Sequence, residues 1–125
     1  MKVILSIKPK YASKILEGTK TYELRKTIFK NTEIKTVLIY ASSPISKIIG
    51  EFQIEKIVHL QKNELWNVVK DKAEVDKDFF DEYFENKEKG YAIAIKNVKK
   101  YKDEIDINEE FGIKAPQSFA YVKKH

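Results

Sequence analysis

The chain has 125 residues and carries 24 Lys plus Arg against 19 Asp plus Glu, a formal net charge of +5. A chain of this length supports one domain, residues 1–125, burying about two-thirds of its unfolded surface, and 42% apolar residues supply the core. The lack of cysteine excludes disulfide frameworks, thiolate zinc sites and cysteine nucleophiles, and no apolar run approaches the ~18 residues of a membrane span.

The opening Met1–Lys8 is too short and too soon charged for a signal peptide, so the expectation is a cytoplasmic, membrane-independent monomer. The charge is unevenly spread. Residues 1–30 hold eight cations against Glu17 and Glu23, whereas residues 63–88 hold four lysines against nine acids. A basic N-terminal third joined by a basic C-terminal third forms a face that attracts polyanions. A lysine-rich composition that merely solvates the whole surface gives the same count. Of the 24 cations only Arg25 is arginine, and a guanidinium at one place points to a planar, bidentate or stacked contact.

In chain order, Val3–Ile7 has the length and apolarity of a strand. Pro9 suits the first position of a helix whose stripe is Tyr11, Ala12, Ile15 and Leu16, with Gly18 as its stop. From Thr21 the period becomes two: Tyr22 and Leu24 point one way, and Thr21, Glu23 and Arg25 the other. Val37–Ala41 is a second buried strand, ended by the turn Ser42-Ser43-Pro44, and Ile48–Val58 alternates in its first half. Two helices follow, one with Leu65, Trp66 and Val69 after an Asn63 cap, the other with Phe79, Phe80, Tyr83 and Phe84 after Asp76. The second helix's four aromatics, at helical spacing, read as a core-facing stripe. Tyr91–Val98 alternates, Lys99–Glu110 is a polar stretch, and Ala115–Val122 contains a last strand. Strands around a helical insertion, without a β-α-β rhythm, predict an α+β domain on a small, curved, mixed barrel.

The nucleotide-loop and nucleophile-elbow motifs are absent. His59 and His125 lack the spacing of a metal triad, and Asp76, Asp78 and Asp81 lack the glycine and glutamate of a calcium loop, so no metal or cofactor is expected. The segment from Gly18 to Arg25 is different. Glycine turns the chain sharply, Lys20 sits at the mouth of the next strand, and Glu23 and Arg25 share a face. Two cations and an anion beside one concavity can grip a polar ligand. The same spacing suits a Glu–Arg pair that pins the strand to a neighbour, with Lys20 in solvent. Spacing alone leaves both open.

The pattern G-x-K-x-x-E-x-R, met at Gly18, Lys20, Glu23 and Arg25, is the signature of the ASCH domain, a branch of the PUA-like superfamily. The likeness continues through Leu5–Pro9, Val37–Pro44, Ile49–Phe52, Glu64–Trp66, Phe79–Phe84 and Pro116–Phe119. The chain thus resembles, over essentially its whole length, the stand-alone prokaryotic ASCH proteins described as predicted transcriptional regulators. That resemblance implies a PUA-like small mixed β-barrel with flanking and inserted helices, and a cleft beside the motif strand. It also implies a role around RNA or a modified nucleotide or nucleoside.

In a binding module of this kind, Lys8 and Lys20 would neutralise phosphates, Arg25 would grip a phosphate or base, and Glu23 would orient Arg25 or accept from a base. Tyr40 and Phe119 would stack a base, and Tyr22 too, though its parity points to the core. Ser42 and Ser43, with Gln117 and Ser118, would supply polar contacts. The alternative implied is an enzyme. One ASCH branch deacetylates N4-acetylcytidine with the motif lysine and a threonine where this chain has Glu23, and another is thought to cleave single-stranded RNA. In such an enzyme Lys20 would be the catalytic group, Glu23 would position it or a water, and Thr21 would be the stand-in hydroxyl. The binding module is the expectation carried forward.

Overall fold

In the computed structural model, which describes residues 1–123, strand β1 (Lys2–Ile7) runs directly into helix α1 (Pro9–Glu17). Pro9 opens the helix where its missing N–H is not needed. Gly18 closes it at φ 89°, a left-handed conformation that L side chains resist. The amides of Thr19 and Lys20 then both return to the Lys14 carbonyl at 3.1 Å, so the chain reverses within three residues and enters β2 (Tyr22–Arg25). The remaining elements are β3 (Thr36–Ala41), β4 (Lys47–Gln61), α2 (Lys62–Val69), α3 (Lys77–Tyr83), β5 (Lys89–Ile105), α4 (Ile107–Phe111) and β6 (Phe119–Val122).

The strands form one mixed sheet in the order β2-β5-β4-β3-β1-β6, with β1 and β3 parallel and every other pair antiparallel. The α+β, PUA-like architecture is therefore present, but the expected barrel does not close: β2 and β6 are the two ends of the sheet and share no ladder. Register shifts at three places along β4 and β5 and one in β3 and β4 give the sheet its irregular, curving course.

Both faces of the central parallel pair are buried. Val3, Leu5, Ile7, Val37 and Ile39 pack with Ala12 and Ile15 of α1, while Ile4, Leu38 and Tyr40 pack with Ile107 of α4 on the opposite face. A third core holds Tyr22 and Leu24 of β2 with Leu65, Val69, Phe80 and Phe84 from the helical insertion. Period-two parity then sends Glu23 and Arg25 to the face of β2 that looks toward α1 and β1.

Several local expectations change. The polar stretch Lys99–Glu110 carries structure of its own: Lys99–Ile105 is the second half of β5, laddered to β4 from Lys99–Glu51 to Ile105–Ile48 and followed by α4. The pairing rests on backbone bonds, and the solvent-facing side of the ribbon accepts lysines, so alternation is lost from the sequence. Helix α2 begins after Gln61, which places Asn63 inside its first turn rather than at its cap. Asp76 does cap α3, accepting from the Phe79 amide at 2.8 Å. Among the described residues no helix is long and apolar enough to cross a membrane.

Gly50 marks a close backbone approach within the β4–β5 ribbon. A Cβ there would lie 2.6 Å from the Lys99 carbonyl oxygen and 2.8 Å from a Leu16 methyl, and the carbonyl belongs to a laddered backbone that cannot swing aside. Gly50→Ala is expected to destabilise the fold by roughly 1–3 kcal/mol through this overpacking. Urea unfolding checks it, and a midpoint equal to wild type would mean that the ribbon yields.

Candidate functional site

Arg25 connects the two ends of the open sheet. Its guanidinium donates to the Ser6 carbonyl at the end of β1 (3.2 Å), to the Ser118 carbonyl (3.2 Å) and hydroxyl (2.8 Å) just before β6, and to the Glu23 carboxylate (3.1 Å). The side chain is 11% exposed, and a planar fork is what lets one residue meet acceptors from three segments. Ser6 is held in turn, its hydroxyl donating to the Pro116 carbonyl. The pinning role that spacing had left open is thus present.

Lys20 is not in solvent: the residue is 2% exposed and Glu23 is 6% exposed. Its Nζ donates to the Ala73 carbonyl at 2.6 Å, sits 3.9 Å from Glu23 and lies 5.1 Å from the centre of the Tyr11 ring. Ala73 belongs to the loop between α2 and α3, whose Lys72 carbonyl also accepts from the Thr21 and Tyr22 amides. Burial lowers the Lys20 pKa from its ordinary value, and the nearby Glu23 carboxylate opposes that shift. Lys20, Glu23 and Arg25 therefore form one largely buried, mutually compensated row at the base of a cavity.

That cavity is a cleft of about 660 Å³. One wall carries Ser6, Ile7, Lys8 and Tyr11; the rim continues through Lys26 and Thr27; the opposite wall carries Val75, Phe79, Glu82 and Tyr83; Lys87, Gln117 and Ser118 complete it. Burial raises the phenol pKa of Tyr83 and of Tyr11, the latter helped by the charge of Glu23, so both keep their protons. Tyr83 donates to the Leu24 carbonyl at 3.3 Å, and the Lys26 ammonium stands 4.9 Å from its ring centre.

The structure thus brings together Lys8, Lys20, Glu23, Arg25, Gln117 and Ser118. It does not bring the others. Tyr40 is buried in the core under α4, Ser42 and Ser43 lie in the turn after β3, and Thr21 is outside the cleft lining. Tyr22 is core, as its parity indicated, and Phe119 packs against Phe29 at 6.1 Å rather than facing the cleft. His59 stands on β4, away from this cleft, and His125 lies outside the described residues.

The pattern of a motif strand facing a helical insertion is shared with known proteins. The ASCH domain family model matches residues 5–113. This chain belongs to the ASCH domain family. It is 29% identical, over 97% of its length and 84% of the relative's, to an ASCH domain-containing ribonuclease of Zymomonas mobilis. It is also 29% identical over 97% of its length to proteins of Ureaplasma parvum named large ribosomal subunit protein uL22, of which it spans 39%. Crystal structures of an ASCH protein from Zymomonas mobilis superpose with a TM-score of 0.91, at 28% identity over 98% of this chain and 88% of the other. A structure of a Ser→Ala variant of it gives the same TM-score at 27% identity.

Helical spacing alone does not reveal what this ASCH domain draws from its helical insertion. The four aromatics of the α3 region divide into two i,i+4 pairs: Phe80 and Phe84 are core, with ring centres 4.8 Å apart, whereas Phe79 and Tyr83 line the cleft at 5.8 Å. The signal was the breadth of the stripe. Four adjacent rings cover more of a helix than one core contact uses.

Two outcomes follow from the charged row. Arg25→Lys keeps the charge but loses the fork, and is expected to cost about 1–3 kcal/mol, with Arg25→Met costing about 3–5 kcal/mol because Glu23 then loses its guanidinium partner. Chemical denaturation reads both, and an Arg25→Lys protein as stable as wild type would show the clip to be dispensable. For Lys20, the folded pKa lies below the ordinary 10.5, so between those two values the unfolded chain binds more protons and stability rises with pH. The stability of wild type relative to Lys20→Met should therefore increase as the pH rises toward the ordinary lysine value of 10.5. A difference that stays constant or falls contradicts a depressed Lys20.

Proposed function

We propose that this ASCH domain is a nucleic-acid-binding module whose cleft receives a segment of single-stranded RNA. The observation that carries the proposal is a cleft lined by lysines and aromatic rings together. Lys8 and Lys26 stand free of the charged row below them, while Phe79 and Tyr83 present rings from α3. A single strand has both matching features: phosphates for the ammonium groups and unpaired base faces for the rings. Gln117, beside the clip, supplies an amide for base edges. Arg25 acts by holding the walls in place, since its guanidinium donates to Ser6, Glu23 and Ser118. The relative of Zymomonas mobilis named as an ASCH domain-containing ribonuclease supports nucleic acid as the ligand class.

That relative also favours a second function, cleavage of the bound strand. In this chemistry the 2′-oxygen attacks the adjacent phosphorus and the bond to the 5′-oxygen breaks. One group takes the 2′ proton and another supplies a proton to the leaving oxygen. An amine with a depressed pKa suits the first task and a protonated phenol the second; Lys20 and Tyr11 lie together at the cleft base. Acyl-nucleoside hydrolysis has less support, because Glu23 stands at the threonine position and Thr21 is outside the cleft lining.

Fluorescence anisotropy with a labelled single-stranded RNA tests the binding, and a gel of the same reactions tests cleavage. Affinity should fall with salt, and Lys8→Gln should weaken binding and reduce the log–log salt slope by about 0.7, the value of one phosphate contact on a single strand. Salt-insensitive binding, or none, rejects the proposal. Cleavage products lost in Lys20→Ala would make the module a ribonuclease, and intact RNA throughout would leave it a binder.

A further inference from the structure

The cleft does not end at its rim. Lys26, Thr27 and Lys87 also line a second, more open pocket of about 450 Å³, so the two cavities meet along a shared lysine-bearing border. Beyond that border lie Lys89, Glu88 and the rings of His59 and Tyr91. His59 on β4 and Tyr91 on β5 are register partners, and their rings stack with centres 3.9 Å apart and planes within 6°. His59 is exposed and Tyr91 half-buried, and neither ring belongs to any of the three cores.

A cross-strand aromatic pair stabilises any antiparallel ribbon. This one, however, is placed at the end of a path of three lysines, Lys26, Lys87 and Lys89, with Glu88 the one carboxylate among them. A mononucleotide in the cleft would leave that path unused. A polymer would follow it, its phosphates passing Lys26 and Lys87 and a later base stacking on the exposed His59 ring. We infer that the ligand is a single-stranded oligonucleotide long enough to run from the cleft across the Lys26–Lys87 border and stack a base on the His59–Tyr91 pair. The inference rests on the cleft being an RNA site.

The test compares a uridine dinucleotide with an oligouridylate of about eight nucleotides, each fluorescently labelled, in anisotropy titrations. The longer strand should bind wild type more tightly. His59→Ala should weaken it roughly 5- to 150-fold, the loss of one stacked base, while leaving the dinucleotide unchanged. Lys89→Gln, also on the surface, should lower the salt slope for the longer strand alone. Lys8→Gln should weaken both lengths. If both lengths bind equally, or if His59→Ala and Lys89→Gln bind the longer strand as wild type does while Lys8→Gln weakens it, the extended path is overturned and the cleft reading survives. If neither length binds wild type, both fall together.

Discussion

One guanidinium holds together a sheet that its own backbone does not close. β2 and β6 end the strand order with no ladder between them, and Arg25 spans the opening by donating to Ser6, Ser118 and Glu23. A closed barrel would make this junction with a row of backbone bonds and fill it with apolar side chains. An open one, clipped at a single point, leaves space beside the clip, and the cleft occupies that space. Apart from the buried Lys20, the described lysines lie at the surface or only partly buried, which an ammonium handles well; at this one junction the acceptors come from three directions, and only a planar fork meets them.

The clip brings a cost that the neighbouring charges offset. Burying Glu23 beside Arg25 alone would leave one carboxylate oxygen facing the dry interior, and Lys20 occupies that side at 3.9 Å. Lys20 is in turn fixed by the Ala73 carbonyl, which ties the loop between α2 and α3 to the start of β2. Cation, anion and cation thus form a chain in which each member holds a different segment: the insertion loop, the motif strand, and the β1 and β6 ends. None of the described buried side-chain nitrogen or oxygen atoms is left without a partner, which is how such a row remains tolerable. The pinning role and the ligand-gripping role considered for the motif are therefore not exclusive. The row builds the floor, and the groups above it face the ligand.

Much of this was legible from local chemistry. Pro9 and Gly18 delimit α1, Asp76 caps α3, and period two in Thr21–Arg25 separates the buried Tyr22 and Leu24 from Glu23 and Arg25, because each signal depends on a residue's own backbone. The second half of β5 was not legible, since its partner lies some fifty residues away and its outward side chains are lysines. Tyr40, Ser42 and Ser43 were placed by likeness of sequence, and nothing in that likeness says which face of β3 looks toward the cleft; Tyr40 takes the face under α4. The division of the α3 aromatics was not legible either. Helical spacing reveals a stripe but not that two different surfaces compete for it.

The two walls of the cleft have separate origins, and this constrains how the ASCH domain can vary. The basic wall comes from β1, α1 and the end of β2, segments that the clip and the central parallel pair hold together. The aromatic wall comes from α3, inside the insertion between β4 and β5, whose attachment to the motif strand runs through the Lys20–Ala73 and Thr21–Lys72 contacts and the small core around Phe80 and Phe84. Residues that face the cleft from α3, such as Phe79 and Glu82, take little part in that attachment: among the described contacts Phe79 meets Tyr11 and Tyr83 by ring contact only. Their chemistry can change without disturbing the clip. The frame sets where a ligand lies, and the insertion sets what kind of face it meets.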